Sequence, residues 1–181
     1  MLSRAQESIH RADLSSCVTT VHSPIQDLGG SISTKFDVIT FHAVLEWLAE
    51  PKSTTGRLVE FLKRDGYLSV MFYNRNAALL KRILGGEFDA ALQESKKEYP
   101  PARWGNEATP LAEETVREWL NELGLRVRSK AGIRIFHDHI TTGVRDRAQL
   151  DALLKTEKDL RKREPFASIG QHAHLVCEWA R

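Results

Sequence analysis

Phe36-Asp-Val-Ile-Thr-Phe41 is an apolar, β-branched run broken by a single acid, the pattern of a strand buried on both faces. Beyond Pro51, Leu58, Phe61 and Leu62 recur at helical spacing, with Gly66 placed to cap that helix. Tyr67-Leu-Ser-Val-Met-Phe-Tyr73 follows as a second buried strand. Strand, helix and strand with short joints predict a right-handed βαβ unit within a parallel sheet.

Upstream of this unit, Ala5, Ile9 and Ala12 have helical spacing, so residues 2–11 are expected to be a helix. Cys17-Val-Thr-Thr-Val-His22 is short and β-branched and reads as a strand, and residues 24–34 read as a loop punctuated by Gly29-Gly30. Downstream, residues 79–84 and 88–92 read as two short helices separated by Gly85-Gly86, and Pro100-Pro-Ala-Arg-Trp-Gly-Asn106 as a loop. Val116, Trp119, Leu120 and Leu123 form one helical face ended by Gly124. Leu125-Arg-Val-Arg128 and Ile133-Arg-Ile-Phe136 are strand-like pieces. Leu150, Leu153, Leu154 and Leu160 mark a last amphipathic helix, and His174-Leu-Val-Cys-Glu-Trp179 a final strand. No repeat or low-complexity tract interrupts the chain. The expected organisation is a single α/β domain over residues 1–181, with a helical insertion at about residues 76–108.

The composition narrows the class. A length of 181 residues suits one domain, and 41% hydrophobic with 28% charged residues is ordinary for a soluble globular chain. The net charge of +2 neither demands nor excludes a nucleic-acid partner, because a local basic patch is what matters. No run approaches the ~20 apolar residues that span a bilayer, and Met1-Leu-Ser-Arg-Ala-Gln6 lacks the apolar core of a signal peptide. Cys17 and Cys177 lie far apart without CxxC spacing, which favours a reducing, cytoplasmic compartment over a disulfide framework or a zinc knuckle.

In open α/β sheets, ligands bind beyond the carboxyl ends of the strands. Four polar clusters fall just past the expected strands: residues 23–27, residues 42–47, Tyr73-Asn74, and Phe136-His-Asp-His139. The pairs His137/His139 and His172/His174 have the spacing that puts two rings on one face of a strand. Neither pair has a third ligand at zinc spacing, so no metal is expected.

Several strings together resemble one known family. They are Phe36-Asp-Val-Ile-Thr-Phe-His-Ala-Val-Leu-Glu-Trp47, Leu68-Ser-Val-Met-Phe-Tyr-Asn74 and Gly132-Ile-Arg-Ile-Phe-His-Asp138. Gly85-Gly-Glu-Phe-Asp89 and Arg163-Glu-Pro-Phe-Ala-Ser-Ile-Gly170 match the same pattern in the same register. The family is that of class I S-adenosylmethionine-dependent methyltransferases that esterify 5-carboxymethoxyuridine at the tRNA wobble position. The resemblance implies a Rossmann-like, mostly parallel sheet and S-adenosylmethionine as cofactor. It places Ile25 and Gln26 on the adenine side and His42 among the first residues after a cofactor-binding strand. It also implies an N-terminally truncated form: Met1-Leu-Ser3 aligns with an Asp-Leu-Ser of the family, so Met1 stands where the ribose-binding acid is found. A piece of a longer enzyme is therefore expected.

For such an acceptor the chemistry is an in-line displacement onto a carboxylate already ionised at neutral pH, so no general base is required. Positioning and desolvation remain as the enzyme's tasks. Arg134 is the candidate fork for the carboxylate, with Tyr73 and His137 beside it as catalytic candidates. Tyr73, Asn74 and His137 are expected to supply hydrogen bonds and a stacking surface for the uracil. Phe136 is a further substrate-binding candidate, and Lys81 and Arg82 form a basic run for tRNA contact. Lys96-Lys97 and the run Arg161-Lys-Arg163 are further basic candidates, although Glu98 follows the first and acids flank the second. Two alternatives stay open: a methyltransferase for a small carboxylic acid, and a non-catalytic remnant of the fold used for binding or dimerisation.

Overall fold

The computed structural model describes residues 2–96, 108–140 and 143–180. The expected loop at 100–106, together with Lys97 and Glu98, lies outside the described residues. The chain forms two compact units, Met1–Thr34 and Lys35–Arg181.

In the first unit, α1 (Leu2–Arg11) forms where the spacing placed it. The strand expected at residues 17–22 does not form. The N–H groups of Cys17 and Val18 both donate to the Leu14 carbonyl at 3.0 Å in a turn, and no ladder follows. β-branched residues make a strand only when a neighbour supplies hydrogen-bond partners. The expected loop at 24–34 contains a 3-10 helix, Ile25–Gly30.

The second unit is built on a four-stranded sheet in the order β1 (Phe36–His42), β2 (Leu62–Tyr73), β4 (His172–Trp179), β3 (Leu125–Ile133). β1 and β2 are parallel, joined through α2 (Pro51–Val59), as the βαβ pattern requires. Within the described sheet the parallel ladder is confined to these two strands: β4 enters between β2 and β3, antiparallel to both. β3 consequently runs in the same direction as β1 and β2. The three carboxyl ends therefore lie at one edge of the sheet, beside the start of β4.

β1 is an edge strand and is not buried on both faces. Ile39 and Phe41 meet the core, whereas Val38 on the other face is 56% exposed. The core face of the central strands is continuous: Leu68, Val70 and Phe72 of β2 lie beside Ala173, Leu175 and Cys177 of β4, all fully buried. Burying a side chain of this size contributes roughly 1.5–3 kcal/mol. Val116 and Leu120 of α5 (Glu113–Glu122) are buried on the same principle, and Gly124 ends that helix at φ 79°, as its position predicts.

Gly66 caps no helix. It lies inside β2 where the register with β1 skips, and a Cβ there would stand 2.8 Å from the Asp37 carbonyl oxygen. The helices α3 (Arg75–Leu84) and α4 (Phe88–Ser95) flank the glycine pair as expected. The strand-like piece at 133–136 is corrected: β3 ends at Ile133, and the chain turns at Arg134. The later elements are α6 (Arg147–Leu160) and α7 (Phe166–Ile169), leading into β4.

Candidate functional site

Arg134 is where the site begins. Its φ of 57° is left-handed, a region that costs an L residue about 1–2 kcal/mol, so the surrounding structure must hold it there. One neighbour does so through the backbone. Gln171, just ahead of β4, donates its N–H to the Arg134 carbonyl (3.2 Å), and its own carbonyl accepts from the Asn74 N–H (3.1 Å). Gln171 thus ties the end of β2 to the end of β3. This close approach needs Gly170, where a Cβ would lie 2.6 Å from the Ile133 nitrogen.

Past the turn, residues 137–139 form a 3-10 helix rather than a strand, so His137 and His139 are not a same-face strand pair. Arg134 is ion-paired with Asp138, and the His137 Nδ1 lies 2.9 Å from the same Asp138 oxygen. Partial burial pushes the Asp138 carboxyl up. The His137 and Arg134 partners outweigh this and hold it below the ordinary carboxylate range.

These side chains line a cavity of about 560 Å³ with Lys81 of α3, Gln171 and the apolar Ile140 and Val144. Two fixed cations and one carboxylate in its wall make it a site for an anion, with apolar surface alongside. Tyr73 closes the end of β2 and contacts His172 at 6.3 Å between ring centroids. Burial raises the Tyr73 phenol above its usual value; the Arg82 charge opposes this and Asp138 adds to it. His172 is held below its usual value by burial first and by Arg134 second, with Asp138 opposing. Both groups therefore sit within the electrostatic reach of the Arg134–Asp138 pair.

Arg134 and His137, expected at the acceptor carboxylate and base, line this cavity with Tyr73 at its side, and Lys81, expected in a basic run for tRNA contact, stands in the same wall. Asn74 does not join them. It is 2% exposed, and its amide nitrogen donates to the carbonyls of Ser168 (2.9 Å) and Gly170 (3.0 Å). Its Oδ1 accepts from the Asn76 N–H (3.1 Å), which caps α3. The side chain is structural, and its place directly before a helical run was the signal for a cap. Phe136 packs edge-on against Phe166 with centroids 5.6 Å apart. Arg82 lies outside the lining and pairs with Glu87 at 2.8 Å.

The residues expected to hold a cofactor fall in different units. Ile25 and Gln26 open the 3-10 helix of the first unit, with Ile25 half-buried and Gln26 exposed. His42 ends β1 in the second unit, and the chain turns after it at Ala43, whose φ is 54°. The His42 Nε2 lies 2.8 Å from the Ser69 hydroxyl, which lies 2.8 Å from the His174 Nε2 on its other side. The two imidazole rings meet edge to face at 5.4 Å. One hydroxyl proton serves one ring nitrogen, so the other ring donates to the oxygen. Sequence reasoning did not reveal this relay, because it needs the lateral order β1-β2-β4.

The chain is similar to known proteins. Residues 1–70 match the family model described as a methyltransferase domain. A solved S-adenosylmethionine-dependent methyltransferase from Clostridium acetobutylicum ATCC 824 superposes with a TM-score of 0.61 at 13% identity, over 99% of this chain and 71% of that one. An O-methyltransferase family protein from Burkholderia thailandensis gives a TM-score of 0.54 at 14% identity, over 97% of this chain and 40% of that one. The fold is thus that of the class I methyltransferases. Over 180 residues the chain is 33% identical to the tRNA 5-carboxymethoxyuridine methyltransferase of Escherichia coli strain K12, and 32% identical to that of strain O157:H7. The alignments cover 98% of this chain and 67% of each relative. The chain belongs to the family of these tRNA 5-carboxymethoxyuridine methyltransferases.

Proposed function

We propose that this chain carries the acceptor site of an S-adenosylmethionine-dependent methyltransferase that forms a methyl ester on the carboxylate of 5-carboxymethoxyuridine, at the wobble position of tRNA in the cytoplasm. The observation that carries the reading is the cavity at the carboxyl ends of β2 and β3. There Arg134 and His137 already grip one carboxylate, that of Asp138, and Lys81 stands in the same wall.

When bound, S-adenosylmethionine supplies an electrophilic methyl group on a sulfonium. Its adenine is assigned to Ile25 and the Gln26 side chain, and its neighbourhood at the strand end to His42. The acceptor carboxylate needs no base, since it is ionised at neutral pH. Arg134 orients it through a planar guanidinium, which binds both oxygens without being a nucleophile. Lys81 adds a second positive charge, and the apolar Ile140 and Val144 help to strip water from the anion. Tyr73 offers a face for the uracil, a base that must be splayed from the anticodon to be read. Its phenol is a protonated donor at neutral pH, as any tyrosine is, and burial raises its pKa further. Arg82 and Phe136 are assigned to the flanking tRNA surface.

The test is transfer of a labelled methyl group from S-adenosylmethionine to tRNA containing 5-carboxymethoxyuridine. Wild type transfers label to base-labile ester, and Arg134→Ala loses at least tenfold in kcat/KM. Label appearing only on small carboxylic acids would replace tRNA with the small-molecule alternative. A chain whose melting temperature is unmoved by S-adenosylmethionine would support the non-catalytic reading.

A further inference from the structure

Glu157 lies near the end of α6 and outside the cavity lining, yet its carboxylate is fully engaged. One oxygen accepts the Ile135 N–H at 2.9 Å, and the other accepts those of Phe136 (2.9 Å) and His137 (3.2 Å). Three consecutive backbone amides aimed at one anion form a nest, and hydrogen bonds to an ionised acceptor are about twice as strong as neutral ones. The amides belong to the turn that starts at left-handed Arg134 and ends at His137. α6 also grips the strand just before that turn, because Gly132 donates its N–H to the Arg161 carbonyl (2.8 Å) at the helix C-cap.

We propose that Glu157 is a positioning residue for the acceptor pocket: by ordering the amides of residues 135–137 it fixes the aim of Arg134 and His137. Glu157 acts through the backbone and touches no acceptor. The proposal rests on reading the cavity as a carboxylate site. The charge matters as well as the shape. A glutamine of the same size has one acceptor oxygen and turns an NH2 toward N–H donors, so at least one of the three amides loses its partner.

The experiment measures binding to the whole chain of two probes, 5-carboxymethoxyuridine 5′-monophosphate and its methyl ester, by calorimetry. The wild type binds the acid more tightly than the ester. Glu157→Gln loses about tenfold on the acid while its affinity for the ester stays within about twofold. In the same variant, the amide proton resonances of residues 135–137 move upfield. Glu157→Asp keeps the charge on a shorter arm and loses about threefold on the acid alone. If Glu157→Gln does not fold, this second variant decides. Unchanged acid affinity in the folded variants, or equal losses on acid and ester, overturns the proposal, since a merely structural glutamate has no reason to distinguish the two probes. A wild type that binds acid and ester alike instead sinks the carboxylate reading, and this proposal with it.

Discussion

The Arg134 guanidinium is ion-paired with the Asp138 carboxylate four residues along the chain, in the wall of the cavity assigned to a carboxylate acceptor. Asp138 therefore occupies the partner that an incoming carboxylate requires. The arginine keeps about half of its side chain exposed, so the pair is worth little on its own. An acceptor with better geometry, aided by Lys81, can displace it.

Asp138→Asn removes one negative charge from the cavity wall and frees Arg134. Binding of 5-carboxymethoxyuridine monophosphate should tighten about two- to fivefold, the scale of an exposed ion pair. Calorimetric titration of both proteins measures it. Weaker binding in the variant would mean that Asp138 aims Arg134 rather than competes for it.

The left-handed backbone at Arg134 separates two substitutions that remove the same charge. Arg134→Gly relieves the strain at φ 57°, whereas Arg134→Ala retains it. The glycine variant should be more stable than the alanine variant by about 1 kcal/mol, although both lose the carboxylate fork. Thermal denaturation compares the two directly, and equal melting temperatures would show that the turn relaxes without cost.

Much of this fold is written in local pattern. The spacing of Ala5 and Ile9 and the glycine after α5 each specify an element by themselves, whereas the spacing of Leu58, Phe61 and Leu62 does not: α2 ends at Val59, and Leu62 opens β2. Strand direction is not local. His174-Leu-Val-Cys-Glu-Trp179 carries the same alternation whether it runs parallel or antiparallel, and only the connection through α6 and α7 inserts it in reverse between β2 and β3. The segment at residues 17–22 shows the converse: β propensity without a ladder partner gives no strand. At the site, His137 stood out because residues beyond strand ends converge in an open sheet; the sequence pattern puts Arg134 on a strand rather than at the turn after it, and offers Lys81 only as part of a basic run for tRNA. Glu157 was not, since an acid beside Lys158 and Asp159 has the appearance of a solvated helix face until the turn it binds is placed in space. Asn74 was misassigned because a side chain at a strand end and a helix cap occupy the same position in sequence.

The histidine relay makes stability depend on pH. His174 is held below its usual value of 6.5, by burial first and then by the neighbouring His42, Arg161 and Lys162 charges; His172 is lowered as well. A histidine with a depressed folded pKa binds more protons in the unfolded chain, so stability rises with pH across the interval between the two values. The chain should therefore be more stable at pH 7.5 than at pH 5.5, losing stability as the pH falls through and below 6.5. His174→Gln keeps a hydrogen-bonding side chain near Ser69 without the titration and should flatten the difference. Urea unfolding at both pH values tests this, and an undiminished difference in the variant would assign the dependence elsewhere.

Gly170 gives the strictest steric test of how the site is assembled. Its backbone, with φ −59° and ψ 144°, is open to any residue, so conformational freedom is not the reason for glycine there. The reason is proximity: an added Cβ would stand 2.6 Å from the Ile133 nitrogen and 2.7 Å from the Gly132 Cα. Both obstacles are backbone atoms of β3, which cannot swing aside as the tip of a side chain would. Gly170→Ala must push the segment before β4 away from β3. That displaces Gln171, whose N–H and carbonyl connect Arg134 to Asn74. A loss of about 1–3 kcal/mol in stability is expected, together with weaker binding of the carboxylate probe. A variant that melts like the wild type and binds the probe equally well would show that the link from β2 to β3 through Gln171 tolerates more separation than this geometry permits.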